Sequence, residues 1–297
     1  MNPQPRIGLH TSIAGGLENA LVEGRRLRAD VVQLFVSSPT QWRTLPLDEA
    51  GLARFHATVE ATGVEPVMVH GRYLTNLGSA DRTIHRRSVE TFNAELALTV
   101  RLGVPSLVIH PGSSKGARRE SAIRRVADAV SAGIDATAGH PTRVLIETTA
   151  GAGNTLGGTF EELAELLSAI DRPDRTGVCL DTCHVFVAGY DVKSAAGYDR
   201  TFDRFEAVVG LDALFGFHAN DSKGVLGSRR DRHDQIGLGH IGARAFGRLL
   251  RDERFRHLPF VLETPKTRTP DGREYDAVNI AKLRRMAKNP VNLRNLR

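Results

Sequence analysis

With 297 residues, 41% of them hydrophobic and 25% charged, the chain has enough apolar mass for a large core, which excludes a disordered or fibrous class. No apolar stretch approaches the roughly 18 residues of a membrane-spanning helix, and positions 1–6 lack the apolar centre of a secretion signal. Two cysteines, Cys179 and Cys183, are too few for a disulfide framework, so the expected setting is a reducing cytoplasm with no membrane partner.

The first apolar run, Ile7-Gly8-Leu9-His10, reads as a strand ending in a histidine, and a helix is predicted over 17–27. A second run, 31–36, ends in Ser37-Ser38-Pro39, and the helix predicted over 48–62 is closed by Gly63. Val67-Met68-Val69-His70 leads to a helix over 83–102 closed by Gly103, and Leu107-Val108-Ile109-His110 to one over 121–138. Val144-Leu145-Ile146-Glu147 precedes a helix over 159–170, where Thr159 and Glu162 have capping-box spacing. Val178-Cys179-Leu180-Asp181, Leu214-Phe215-Gly216-Phe217-His218 and Phe260-Val261-Leu262-Glu263 complete the set, with helices expected over 243–250 and 279–288. Short runs of Val, Ile and Phe suit strands buried on both faces, and their alternation with helices predicts a parallel sheet. A polar residue at the C-terminal end of successive strands is the pattern of an α/β fold, a single (β/α)8 TIM barrel with its site at that end. The expected division is one barrel domain over 1–281 and a basic C-terminal tail over 282–297.

Two loop clusters, Asp181-Thr182-Cys183-His184 and Asp231-Arg232-His233, join the residues that end the strands. Together they bring His70, His110, His184, His218 and His233 with Glu147, Asp181, Asp231 and Glu263 to one barrel mouth. Histidine mixed with carboxylate favours zinc, or manganese or iron, over magnesium, which prefers oxygen ligands. Nine donors exceed the four or five ligands of one zinc and suit two or three ions, with a carboxylate bridging neighbours in the arrangement used for phosphoryl transfer. Three dications against four carboxylates leave a positive site that attracts a phosphodiester. Cys183 sits between candidate ligands, and Cys179 is expected to pack inside its strand.

Several stretches then resemble one family: Gly8-Leu9-His10-Thr11-Ser12-Ile13-Ala14-Gly15-Gly16, Ile109-His110-Pro111-Gly112-Ser113 and Ile146-Glu147-Thr148-Thr149-Ala150-Gly151. They continue with Leu180-Asp181-Thr182-Cys183-His184, Gly189-Tyr190-Asp191, His218-Ala219-Asn220-Asp221-Ser222-Lys223, Asp231-Arg232-His233 and Leu262-Glu263-Thr264. In this order, over nearly the whole chain, they resemble the endonuclease IV family, the zinc-dependent apurinic/apyrimidinic endonucleases of base-excision repair. The resemblance implies three zinc ions per chain. One would be held by His70, His110 and Glu147; a second by Glu147, Asp181, His218 and Glu263; the third by His184, Asp231 and His233. It further implies a monomer acting on double-stranded DNA and hydrolysing the phosphodiester 5′ to an abasic site. The products would be a 3′-hydroxyl and a 5′-deoxyribose phosphate, with Glu263, Glu147 and Asp181 nearest the chemistry.

The family's tyrosine that enters the base stack is matched by Tyr73, but its stack-entering arginine is replaced by Thr40 in the loop Thr40-Gln41-Trp42-Arg43. Gln41, Arg43 and Arg72 are the neighbouring candidates for DNA contact. The alternatives are a metal-dependent sugar isomerase of the related barrel superfamily, whose sites are poorer in histidine, and a non-catalytic DNA-binding relative. The tail residues Lys282, Arg284, Arg285, Lys288, Arg294 and Arg297 account for the whole formal charge of +6, so the tail is expected to add nonspecific DNA affinity.

Overall fold

The apolar runs lie side by side as parallel strands that close on themselves in the computed structural model, which describes residues 4–42 and 47–288. The barrel strands are β1 (Arg6–Thr11), β2 (Val31–Leu34), β3 (Glu65–His70), β4 (Ser106–Ile109), β5 (Arg143–Glu147), β6 (Thr176–Asp181), β7 (Leu214–His218) and β10 (Pro259–Leu262). Sequence neighbours pair throughout, and closure comes from β1 on β10, with Ile7 opposite Phe260 and Leu9 opposite Leu262. Between β7 and β10 a two-residue ribbon, β8 (Asp221–Ser222) with β9 (His233–Asp234), pairs Ser222 with His233. This is the (β/α)8 TIM barrel expected from the strand and helix alternation.

Seven buried residues, Val31, Val67, Met68, Val108, Leu145, Cys179 and Val261, fill the barrel interior with Phe215 packed against them. Cys179 therefore packs inside its strand. The larger apolar cluster lies between strands and helices and includes Leu9, Phe55, Phe92, Phe160, Phe202 and Phe260. Gly8 is required at one tight point: a methyl group there would collide with the Val31 carbonyl oxygen of the adjoining strand.

Several helices begin where a side chain satisfies their free N–H groups. Asp48 caps α2 (Glu49–Thr62) by accepting from Gly51 N, and Gly63 ends it in the left-handed conformation at φ 65°. Asp81 caps α3 (Arg82–Arg101), and Thr159 caps α5 (Phe160–Ile170) through Glu162 N, while Glu162 accepts in turn from Gly158 N. Helix α1 (Asn19–Arg26) starts two residues later than the pattern predicted, and α4 (Arg119–Ala136) two residues earlier. Two helices between β6 and β7, α6 (Thr182–Ala188) and α7 (Ala195–Val208), were not anticipated. Helix α8 (Ala243–Arg251) matches its expectation. Helix α9 (Tyr275–Lys288) carries Leu283 and Met286 into the core. The expected boundary at 281/282 falls inside α9, so Lys282, Arg284, Arg285 and Lys288 belong to the last barrel helix, whereas Arg294 and Arg297 lie outside the described residues.

Candidate metal centre

Six of the eight barrel strands deliver a candidate donor to the same end of the barrel, above the apolar interior. His70 ends β3, Glu147 ends β5, Asp181 ends β6 and His218 ends β7, while His110 and Glu263 follow β4 and β10 directly. Asp181 also caps α6 by accepting from His184 N at 2.8 Å, which turns the chain so that His184 faces back into the mouth. His233 arrives on the β8–β9 ribbon. Asp221, absent from the candidate donors, holds the segment after this ribbon by accepting from Gly237 N at 2.8 Å and Ile241 N at 3.0 Å.

Glu147 is fully buried at the centre of the cluster. Its Oε2 lies 3.1 Å from His70 Nε2 and 3.0 Å from His110 Nε2, and its Oε1 lies 3.0 Å from His218 Nδ1. His218 Nδ1 is also 3.2 Å from Glu263 Oε2. On the other side, Asp231 stands 3.2 Å from His184 Nε2 and 3.4 Å from His233 Nε2. Ligand atoms of Glu147, Asp181, His218 and Glu263 all lie within 4.8 Å of one another, as do those of His184, Asp231 and His233. His70 and Glu147 form a third such group with His218, and His110 reaches it through the same Glu147 oxygen.

The orientation of the rings shows what this cluster fits. His70 Nδ1 faces the Gly71 carbonyl at 2.6 Å, His184 Nδ1 the Thr148 carbonyl at 2.8 Å and His233 Nδ1 the Glu263 carbonyl at 3.2 Å. A carbonyl only accepts, so each Nδ1 carries a proton and each Nε2 is left facing carboxylate oxygens. A ring nitrogen set against a carboxylate oxygen needs a cation between the two, either a proton or a metal ion. His233 Nε2 is buried with no hydrogen-bond partner among the described residues. Backbone-oriented imidazoles facing shared carboxylates are how metal-binding histidines are held.

Electrostatics agree. Burial alone would push the Glu147 carboxyl up, but the surrounding imidazoles of His110 and His218 hold it well below the usual carboxylate range. Burial opposes charge on His184 and His218 too, yet the neighbouring acidic groups raise both well above an ordinary histidine, so the cluster favours a cation at these rings and an ion bound there would take the place of the proton. Cys183 is a poor donor by contrast, although Asp181, Cys183 and His233 also cluster. Burial pushes its thiol up to about 12, and the thiol donates to the Arg232 carbonyl.

At the rim, Tyr73 is 63% exposed, its ring 5.8 Å from that of His70, and Thr40 and Gln41 are exposed on the loop after β2. Trp42 is half-buried, and Arg43 lies outside the described residues. Arg72 departs from the expectation of a DNA contact. Only 2% exposed, it donates to Glu95 Oε1 at 2.8 Å and to the Gln41 carbonyl at 2.7 Å, so it ties the loop to α3 from beneath. Burial pushes the Glu95 carboxyl up to about 7 despite that guanidinium. Gly189-Tyr190-Asp191 is structural: Tyr190 stacks on Phe160, and Asp191 accepts from Lys193 N and Ser194 N where α7 begins.

Residues 24–286 match the model of the xylose isomerase-like TIM barrel family. A probable endonuclease 4 of Chloroflexus aggregans is 42% identical over 96% of this chain and 98% of its own length. Another, from Geotalea daltonii, is 42% identical over 95% and 98%. The crystal structure of endonuclease IV from Thermus thermophilus superposes with a TM-score of 0.82 at 36% identity, covering 95% of this chain and 98% of that one. The chain belongs to the endonuclease IV family. A D-tagatose 3-epimerase-like protein shares the barrel at a TM-score of 0.72, but at 17% identity that likeness speaks for the fold alone.

Two polar residues that serve the donors of this endonuclease IV family member were not singled out from the sequence. Asn220 donates to Asp181 Oδ2 at 2.7 Å and accepts from Glu263 N at 2.8 Å, and so spaces β6 from β10. Gln33, fully buried in β2, touches both Glu263 and His218. The signal for Asn220 was its place two residues after a strand-end histidine. For Gln33 it was an amide inside an apolar run, where a polar group must find buried partners.

Proposed function

We propose that the chain is a metal-dependent endonuclease of DNA base-excision repair. It hydrolyses the phosphodiester 5′ to an abasic sugar, leaving a 3′-hydroxyl and a 5′-deoxyribose phosphate, and acts as a monomer on duplex DNA. The observation that carries this reading is the convergence of five imidazoles and four carboxylates at one barrel mouth, in a member of the endonuclease IV family.

His70, His110 and Glu147 would hold one ion, Glu147, Asp181, His218 and Glu263 a second, and His184, Asp231 and His233 a third. Zinc is the best match to this donor set, with manganese or iron as substitutes. Bound there, the ions supply positive charge for the phosphate and acidify water at neutral pH. The protein residues do the rest. Glu147 and Asp181 carry fixed negative charge into the centre, and the carbonyls of Gly71, Thr148 and Glu263 fix the imidazole rings. Glu263, 14% exposed at its side chain, is the carboxylate placed to orient a water and take its proton. Tyr73, Thr40 and Gln41 line the rim where a duplex would lie, and the exposed Tyr73 ring can stack in the gap left by a missing base.

The test is cleavage of a duplex carrying one tetrahydrofuran abasic analogue. The purified protein should cut 5′ to the lesion without added magnesium and contain two to three ions per chain. Stripping with chelator should abolish cutting and zinc should restore it; full activity of the stripped protein, or none after repletion, defeats the proposal.

A further inference from the structure

Three of the histidines are locked by main-chain carbonyls, which no substitution removes. His218 is different: its Nδ1 faces the carboxylates and its Nε2 faces a side chain, the Gln33 Oε1, at 2.8 Å. The orientation of that amide follows from its other neighbours. The Gln33 nitrogen lies 2.6 Å from Glu263 Oε1, and a carboxylate oxygen at that distance demands a donor. The second amide hydrogen points to His10 Nδ1 at 2.9 Å. With both hydrogens committed, the amide oxygen can only accept, so His218 keeps a proton on Nε2, and with an ion bound it is Nδ1, beside Glu147 and Glu263, that offers the lone pair. Gln33 is 0% exposed, so no water competes for these bonds. His10 closes the network: accepting at Nδ1 makes it a neutral ring, held against Phe35 at 4.4 Å between centroids.

We propose that Gln33 is a positioning residue of the metal centre: its amide locks His218 in the Nε2–H tautomer and steadies Glu263, thereby setting the affinity of the ion they share. The inference rests on the metal-centre reading above. It gives β2, which contributes no donor of its own, a part in the site, and it assigns His10 the task of orienting the Gln33 amide.

The experiment uses the zinc-loaded full-length protein labelled with 15N. In the wild type, His218 should show a proton on Nε2 that exchanges slowly with water. Gln33→Met keeps the volume but removes both acceptor and donor. That proton should then exchange freely, and one zinc should be lost to a chelator at about 10–100-fold lower chelator concentration while the others stay. Gln33→Glu, nearly isosteric and able to carry a proton toward Glu263, should keep the protected signal. A wild-type His218 protonated on Nδ1, or exchanging at the bulk rate, overturns the proposal even if the methionine variant does not fold. So does a folded Gln33→Met protein that retains every zinc as tightly as the wild type. If the wild type binds no zinc, the metal-centre reading falls as well; if it binds zinc but His218 behaves otherwise, only the role of Gln33 falls.

Discussion

Glu263 is gripped from three directions. Its Oε1 accepts from Gln33, its Oε2 stands 3.2 Å from His218 Nδ1, and its main-chain N–H donates to Asn220. Replacing one carboxylate oxygen by an amide nitrogen removes charge from the centre and places a second donor where the surroundings already donate. Glu263→Gln should therefore lower the single-turnover cleavage rate by several orders of magnitude while changing abasic-duplex affinity in a gel-shift assay far less. A near-wild-type rate would mean that another group does the proton work. Six of the nine candidate donors are legible in the sequence because each ends an apolar run, a position where burial alone gives no reason for charge, whereas His184, Asp231 and His233 stand out only as histidine and aspartate clustered in loops. Gln33 and Asn220 are not legible, since a lone amide next to apolar residues looks the same whether it holds a ligand or merely the backbone. Arg72 misled for the opposite reason: its place beside Tyr73 suggested a surface, while its side chain turns inward to Glu95.

The strands and most helices are readable from period, but α6 and α7 are not. Six of the seven residues of α6 are buried, so it has no polar face and no helical period to detect. Helix α7 does have a buried stripe, at Gly197, Tyr198, Thr201, Phe202 and Phe205, interrupted by charged residues and opened by a glycine. The Asp181–His184 turn looks like a loop without α6, although Asp181 is the cap and Thr182 to His184 the first turn of that helix. Within the sheet, the tightest constraint is Gly8 against Val31. Gly8→Ala should force β1 away from β2 and cost about 1–3 kcal/mol, seen as a fall in thermal midpoint with metal content held constant. An unchanged midpoint would mean that the two strands part without strain.

Across the molecule, four of the six basic positions expected in a C-terminal tail lie on α9. Lys282 donates to the Ile236 carbonyl at 2.6 Å, and Arg284 pairs with Asp30, which directly precedes β2. That pairing places the last turn of α9 at the N-terminal end of the strands, opposite the candidate metal centre. Lys282 and Arg284 are thus structural, and glutamine replacements there would disturb packing as well as charge. The exposed Arg285 and Lys288 are the cleaner probes. Replacing both with glutamine should leave the slope of log affinity against log salt unchanged for the abasic duplex. A slope flattened by about 0.9 for each lost charge would show that DNA reaches this end. Composition revealed how much positive charge the chain has; where it faces depended on the direction of the last helix.

The order in which the barrel closes also sets when the site can exist. Its donors are spread from His70 to Glu263, and Glu263 follows β10, the strand whose pairing with β1 shuts the ring. During synthesis most of the chain must leave the ribosome before the central carboxylates and His218 can meet their last partner. A nascent chain halted before β10 holds eight of the nine donors yet has an open sheet where β1 and β7 should be bridged. Capture of the proposed ions in the finished geometry would therefore be a late event, tied to completion of the ring.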